Sequence, residues 1–494
     1  MGKLLGIDLG TTFSVMATIN ETGRAEIICN DEGHRLTPSC VEINKNEVIV
    51  GEEARKFFGV KTNVLSRFKS DMGDPNKTYK VDGKTFTPTE LSALVLKKLY
   101  HEAKKRLGEI SETVVTIPAN WDSEARDATL TAAKSVGLDV RYIINEPTAA
   151  ALHYAAEGKL EKGTYAVFDL GGGTFDISII KVDNFKVDVI TSNGIKKLGG
   201  DDFDKAIIKY VAKEYKKTAN EDLKEGAFTL NNAESIKRAL TVRKKELTVS
   251  GLMKSDIPIA RNDFEEFIST YIAQIIMSCE ATIKEAKLKK SEIIGVLLAG
   301  GSTRVPIIKS TVEKIFGSNK LIETENVDEV VAKGAAVYAM YKTDDKTLTE
   351  AQKQRKTNIS VNDCTGKCFG TAIFNGFEIE NAILIPKNTK IPYSITETYY
   401  TVHYDQRVVE CKVTECTQPD TNMEFVNIVA KKELPLPSHR PEGQPVEVTF
   451  SYYDNQIMEC SFKDIESGEH REIEINFGKN KTDHVENIEN FLVE

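Results

Sequence analysis

From residue 3 to about residue 340, short apolar runs alternate with stretches in which large apolar residues recur every three or four positions. The runs 3–8 and 13–19 predict two strands around a Gly-Thr-Thr turn. Over 88–107 the pattern is helical. Thr87-Pro88-Thr89-Glu90 forms a capping-box sequence with Pro at the first helical position, and Gly108 stops the helix. Residues 122–136 predict another helix, capped by Asp122 or Ser123 and followed by Gly137. The runs 165–169 and 175–182 predict two more strands, around Leu170-Gly171-Gly172-Gly173-Thr174. Residues 262–288 predict one long helix with Phe264, Phe267, Ile268, Tyr271 and Ile275 on one face. A strand over 293–299 then meets Gly300-Gly301, and a helix starts at Pro306. This alternation predicts α/β architecture.

The texture changes after residue 342. Residues 343–360 hold almost no large apolar residue and read as a linker with some helical character. From 368 to 477 the apolar positions alternate every second residue, as in Val446-Glu-Val-Thr-Phe-Ser-Tyr452, Gln456–Phe462 and Glu472–Phe477. Turn residues at Pro386–Asn388, Pro437-Ser438, Asp454-Asn455 and Ser467-Gly468 divide the tract into about eight strands, which predicts an all-β sandwich. The last 16 residues, after Gly478, are polar and are expected to fray.

With 494 residues, the chain is long enough for roughly three to four domain-sized units. Sixty-five Lys and Arg against 74 Asp and Glu give a net charge of −9, which argues against a broad nucleic-acid footprint or an anionic membrane surface. Small anions need only local charge and stay open as ligands. No stretch of 18 apolar residues predicts a spanning helix. The opening MGKLLGIDLG runs straight into a strand, so no secretory leader is expected. Eight thinly spread cysteines then suggest reduced thiols in a cytoplasm.

Two similar segments carry the strongest chemical signal. They are Gly6-Ile-Asp8-Leu-Gly10-Thr11-Thr12-Phe13-Ser14 and Val167-Phe-Asp169-Leu-Gly171-Gly172-Gly173-Thr174-Phe-Asp176. Each sets an Asp at a strand end, then a glycine turn, a hydroxyl and a returning strand. A glycine turn lets several backbone N–H groups face one anion, and the neighbouring Asp can hold a hydrated Mg²⁺. One copy alone reads equally well as a tight hairpin. Two matched copies predict opposed turns clamping a Mg-triphosphate between homologous lobes. A third turn, Leu298-Ala299-Gly300-Gly301-Ser302-Thr303-Arg304, lies between a strand and a helix, where α/β ligands sit. It suits the adenosine end, with Arg304 available to stack on a base.

This set of motifs resembles the superfamily that joins actin, sugar kinases and the 70-kilodalton heat-shock chaperones. The segments Ile143–Ala151, Val167–Ile180, Leu198–Asp204 and Leu297–Ile307 select the chaperones. The resemblance covers about 4–478. It implies a duplicated, actin-like two-lobed ATPase domain over 1–342, an interdomain linker over 343–363, a β-sandwich peptide-binding domain over 364–478 and a tail over 479–494. The implied ligands are ATP or ADP with Mg²⁺, and K⁺ as a further cation. Asp8, Gly10, Thr11, Thr12 and Phe13 would form the first phosphate turn, and Asp169, Gly171, Gly172, Gly173, Thr174 and Asp176 the second. Asp8 and Asp169 would hold Mg²⁺ through water. Lys69 matches the catalytic Lys of the family, and Glu146 its acid near the metal and the attacking water; Asp169, Thr174 and Asp176 complete the catalytic set. Gly199 and Gly200 match a turn near the phosphates. Lys244, Lys245 and Thr248 would flank the adenosine, with Gly300, Gly301, Ser302, Arg304 and Asp328 on its other side. Pro118 and Arg126 match positions of domain communication. Phe374, Tyr399 and Val409 would line the peptide groove. The implied partners are extended apolar peptides of unfolded proteins, a J-domain cochaperone and a nucleotide exchange factor, with no nucleic acid or membrane.

Departures from the family pattern carry their own expectations. Sixteen residues after Gly478, about 24 Å if helical, leave the helical lid of the family effectively missing, which implies fast peptide exchange. The tract Ile359-Ser360-Val361-Asn362-Asp363 replaces an apolar run before an acid, implying weaker domain coupling. Tyr142 stands where many relatives have an Arg for the J-domain, and Thr241 where many have a Glu near the ribose. Other readings are a regulatory or scaffolding relative with weak ATPase activity, a sugar kinase, which needs no β-rich C-terminal region, and an actin-like filament. Cys364-x3-Cys368 and Cys411-x4-Cys416 also admit a zinc site at loose spacing.

Overall fold

A computed structural model describes residues 3–45, 47–183, 186–224, 226–243, 247–249, 252, 256–322, 326–357, 359–475 and 491–493. Two mixed sheets dominate the first 362 residues. One is ordered Val140–Asn145, Ile110–Ile117, Lys3–Asp8, Phe13–Ile19, Ala25–Ile28; the other Leu321–Ile322, Ile293–Ala299, Gly163–Leu170, Phe175–Asp183, Lys186–Ile195, Ser360–Asn362. In both, three parallel strands are followed by two antiparallel ones joined through the glycine turns.

Between the sheets lie the helices Glu146–Ala156 and Val330–Lys342. They cross very closely because the contact is made of small residues: a Cβ on Gly334 would fall 1.7 Å from the Ala149 carbonyl oxygen. Likewise a Cβ on Gly6 would fall 2.2 Å from the Ala336 nitrogen, so the first strand presses directly on the second helix. Ala149, Ala150, Ala151, Ala332, Ala335 and Ala336 are all buried there.

Helix Pro88–Leu107 forms as its sequence predicts. Glu90 N–H donates to Thr87 Oγ1 at 3.2 Å and Thr87 N–H to Glu90 Oε2 at 2.7 Å, a reciprocal cap worth about 1 kcal/mol. The expected single helix over 262–288 is two, Arg261–Phe267 and Ser269–Glu285. Ile268 lies between them at φ −92°, ψ 2°, and this break keeps Phe264, Ile268 and Ile275 in one core. Tertiary packing there overrides local periodicity.

Eight strands from Cys368–Phe374 to His470–Ile475 form two four-stranded sheets facing each other across Phe369, Ile385, Val413, Val448, Phe450 and Phe462. Strand Pro445–Tyr452 buries every second side chain, as a sheet with one wet face requires. The tract before them is ordered: Glu350–Lys356 is helical, with Gln352 Nε2 donating to the Asn20 carbonyl, and Ser360–Asn362 joins the edge of the second sheet beside Lys186–Asp188. The sandwich is seated on the α/β part. Ser123 Oγ donates to Glu415 Oε1 at 2.8 Å, Arg126 Nη1 to Gln456 Oε1 at 3.1 Å, and Lys342 pairs with Asp454 at 2.6 Å.

The tail is corrected at its end. Phe491 is buried, its ring 6.4 Å from Phe86, and Leu492–Val493 pairs in parallel with Glu47–Val50. An aromatic ring with a place in the core, and two free N–H rows to pair, anchor what polarity alone predicts as loose. Among the described residues no helix is long and apolar enough to cross a membrane.

Gly334→Ala forces the crossing helices apart. Chemical denaturation should show a loss of at least about 1–3 kcal/mol, and an unchanged midpoint would contradict this close packing.

Candidate active site

The crossing helices bring the two glycine turns face to face. A Cβ on Gly172 would lie 1.9 Å from Thr12 Oγ1, and one on Gly173 2.8 Å from Thr11 Oγ1. The turns are therefore in contact, and Gly172 and Gly173 have no room for a side chain. Gly10 has the same constraint within its own turn, its Cβ position lying 1.9 Å from the Phe13 carbonyl oxygen. A layer behind holds the second turn: Gly200 N–H donates to the Gly171 carbonyl at 3.0 Å, Asp201 N–H to the Gly172 carbonyl at 2.8 Å, and Ser302 Oγ to the Gly171 carbonyl at 2.8 Å. Gly300 takes φ +79° and presses against Leu170 and Asp169.

Between the turns opens a cleft of about 870 Å³. It is lined by Asp8, Gly10, Thr11, Thr12, Phe13, Lys69, Glu146, Asp169, Gly171, Gly172 and Thr174 at one end, and by Gly300, Gly301, Ser302, Arg304 and Asp328 at the other. These predicted residues, scattered over 320 positions, do converge. Gly173, Gly199 and Gly200 sit one layer back, as supports for the turn. Asp176 also lies behind the wall, facing Glu146, with its Oδ1 unpartnered.

At the floor, Lys69 Nζ donates to Glu146 Oε1 at 2.7 Å, both side chains buried. Asp8 Oδ1 accepts from Thr116 Oγ1 at 3.2 Å. Burial, and then the Glu146 charge, push Asp8 up to about 7 and Asp176 up to about 8, while Asp169 rises well above the ordinary carboxylate range for the same reasons. Four acids thus surround one ammonium. Thr12 Oγ1 is buried without a partner. A site with excess buried carboxylate and orphaned oxygens fits a hydrated divalent cation. Among the described residues no three acid, His or Cys side chains close on one point, so the protein supplies no cage of its own. That suits Mg²⁺, which keeps several waters and binds through phosphates.

The adenosine end needs a correction. Thr248 is exposed on the short hairpin Leu247–Val249 and Ile257–Ile259 and does not line the cleft; Lys244 and Lys245 lie outside the described residues. Among the described residues, helix Leu230–Val242 builds this wall, presenting Glu234, Lys237, Arg238 and Thr241. Thr241 is thus a wall residue in its own right. Lys237 Nζ donates to the Gly200 carbonyl and to Asp204 Oδ2, each at 2.8 Å, and so ties this helix to the phosphate turn. Arg55 and Arg238 stack on the Phe13 ring at 4.5 and 5.5 Å from its centre. The signal that could have found them was the spacing Glu234-x2-Lys237-Arg238-x2-Thr241, one helical face. Arg304 is paired with Asp328 at 2.8 Å.

In the sandwich, the three predicted groove residues differ in exposure and in sheet. Phe374 is exposed, whereas Tyr399 and Val409 are half-buried against the sandwich core, and Tyr399 belongs to the other sheet. Exposed apolar side chains gather elsewhere. Phe374 pairs with Ile379 across a hairpin whose tip carries Phe377, 94% exposed, and Phe425 lies on the turn bridged to Glu380 through Asn422.

The family model for Hsp70 protein matches residues 4–80 and 60–493. Relatives named chaperone protein DnaK are similar over nearly the whole chain. That of Mycoplasmopsis pulmonis is 34% identical over 487 residues, covering 96% of this chain and 78% of the relative. That of Thermosipho melanesiensis is 35% identical over 491 residues, covering 94% and 78%. With glycine turns, acid cluster and sandwich all in place, the chain belongs to the Hsp70 family of ATP-dependent chaperones.

Proposed function

We propose that residues 1–342 form two duplicated lobes that hydrolyse ATP, that 343–363 connect them to the sandwich, and that 364–478 bind extended apolar peptides whose affinity follows the nucleotide. What supports the duplication is the matched strand order of the two sheets. The observation that carries the ATPase reading is the contact of the two glycine turns above the Lys69–Glu146 pair.

The backbone N–H groups of both turns bind the phosphates, and Thr11, Thr12 and Thr174 add hydroxyls. Asp8 and Asp169 would hold hydrated Mg²⁺, and the same acids would draw K⁺ as a second cation. When bound, Mg²⁺ neutralises charge that spreads over the transferred phosphoryl group. Lys69 presents a compact positive charge to the γ-phosphate. Glu146, fixed by Lys69, accepts a hydrogen bond from the attacking water, with Asp176 behind it. Glu234, Lys237, Arg238 and Thr241 on one side, with Gly300, Gly301, Ser302 and Arg304 on the other, orient the nucleoside.

Clients enter at the exposed Phe374, Phe377, Ile379 and Phe425 cluster, where a strand-like peptide gains main-chain hydrogen bonds and apolar contacts. Partners are unfolded polypeptides, a J-domain cochaperone and an exchange factor, not nucleic acid or membrane. The ring of Tyr142 is packed edge-on against Tyr338 beside Lys342, so a J-domain would meet an aromatic surface there. Eight unpaired cysteines, seven of them buried, suit a reducing cytoplasm.

Lys69→Ala should lower phosphate release about 10²–10³-fold while labelled ATP still binds; equal rates would sink the enzymatic reading. Addition of an apolar peptide should raise the wild-type rate, and a flat response would mean that the sandwich and the ATPase act separately. Glu415 gives a pH dependence. Burial at the seam pushes its carboxyl up to about 7, against which the Ser123 donors act. The docked form therefore binds a proton that the undocked form releases above its ordinary value, so docking is strongest at low pH and weakens as pH rises through about 7. Energy transfer between dyes on the two parts should fall from pH 5.5 to 8, and Glu415→Gln should flatten the profile.

A further inference from the structure

The cysteines that admit a zinc site by spacing are arranged otherwise. Among the described residues no metal-ligand group of three exists, and all eight thiols are free. Cys411 is paired across its strand with Lys432, Cys460 with Ile473 and Phe450, and Cys364 bridges to Lys390. Cys368 and Cys416 alone are direct cross-strand partners. We propose that Cys368 and Cys416 are a redox site, forming a reversible disulfide between adjacent strands of one sheet when the protein meets a peroxide.

Geometry carries this. Residues directly opposite in an antiparallel pair have Cα atoms about 4.5–5.5 Å apart, inside the span of about 4.4–6.8 Å that a disulfide bridges without moving the backbone. Both sulfurs meet donors from the same neighbouring segment: Lys387 N–H donates to Cys368 Sγ at 3.3 Å, and Asn381 Nδ2 to Cys416 Sγ at 3.9 Å. Burial holds the Cys368 thiol above its ordinary range, and the Lys387 N–H acts against that. Cys416 ends its strand beside the exposed residues 417–419 and is the less enclosed of the two, so a small oxidant meets it first. Its thiolate attacks one peroxide oxygen; the O–O bond breaks, water leaves and a sulfenic acid remains. The Cys368 sulfur then attacks that sulfur, the S–O bond breaks and a second water leaves. The two thiols lose two electrons and two protons, and the peroxide is reduced to water.

The link would matter because the seam it closes is short. Strand Cys368–Phe374 pairs with Val408–Cys416 only over Cys368, Phe369 and Gly370, and each of the two strands carries a register shift against its other neighbour, at Phe369/Gly370 and at Val413/Thr414. Phe374 of the exposed apolar cluster lies at the far end of the same strand, and Glu415 next to Cys416 carries the contact to Ser123. A covalent bond at this seam restrains both. This consequence for peptides rests on the groove reading above; the disulfide itself does not.

The reduced full-length chain is treated with hydrogen peroxide, its remaining thiols are alkylated, and it is mapped by mass spectrometry without reduction. The expected product is one linked peptide pair joining Cys368 to Cys416, lost on adding dithiothreitol and missing in Cys368→Ser and in Cys416→Ser. Unchanged free thiols, sulfinic or sulfonic acids without a link, or a bond to another cysteine overturns the proposal. Release of a dye-labelled leucine-rich peptide is then followed, and the linked form should let go several-fold more slowly. A link that forms in a chain binding no peptide, reduced or oxidised, upholds the redox site and removes the groove reading instead.

Discussion

Everything at the active site depends on how near two helices can come. Glu146–Ala156 and Val330–Lys342 cross where Gly334 meets the Ala149 carbonyl, with a ring of alanines around the contact. Larger residues would hold the sheets several ångströms further apart. The glycine turns, each at the end of one sheet, would then no longer touch, and the anion-binding N–H groups of the two lobes would face separate ligands. The same glycine and alanine residues that contribute little apolar area by themselves therefore set the width of the cleft.

Proximity has an electrostatic consequence. Asp8, Asp169, Asp176 and Glu146 are brought into one buried space with a single Lys69. Such a cluster is unfavourable in isolation, since buried like charges raise one another's proton affinity. It becomes favourable when cations and a phosphate chain enter with it. A ligand of that kind would relieve an electrostatic strain that folding creates. Around the rim the charges are balanced instead: Arg55 with Glu234, Arg67 with Asp201, Lys237 with Asp204. Those pairs hold the wall in place whether or not a ligand is bound.

The sandwich is joined to this machinery by polar contacts, beside the apolar packing of Ile475 and Cys364 against the cores of the α/β part. Ser123, Arg126, Asn145 and Lys342 reach Glu415, Gln456, Asp363 and Asp454. A seam of hydrogen bonds can open at modest cost because water replaces the partners. The buried Phe491 adds a second attachment on the first lobe, near Phe86.

Much of this was legible in the chain. Strands 3–8 and 13–19, the capped helix 88–107, the eight strands after 368 and both glycine turns follow from local rules: alternation, helical spacing, caps and the freedom of glycine. Such signals are read from neighbours a few residues apart, and backbone geometry enforces them whatever the rest does. The adenosine wall was foreseen only in part: Thr248 stands outside the cleft, while the packing of helix Leu230–Val242 against Gly200 brings Lys237 and Arg238 to its lining. The break at Ile268, the burial of Phe491, the inward turn of Tyr399 and Val409 and the meeting of Cys368 with Cys416 were likewise settled by contacts between segments distant in sequence. Periodicity states which side chains want to leave water. Which partner they leave it for is chosen by the whole fold, because many faces are apolar and only one arrangement satisfies them together.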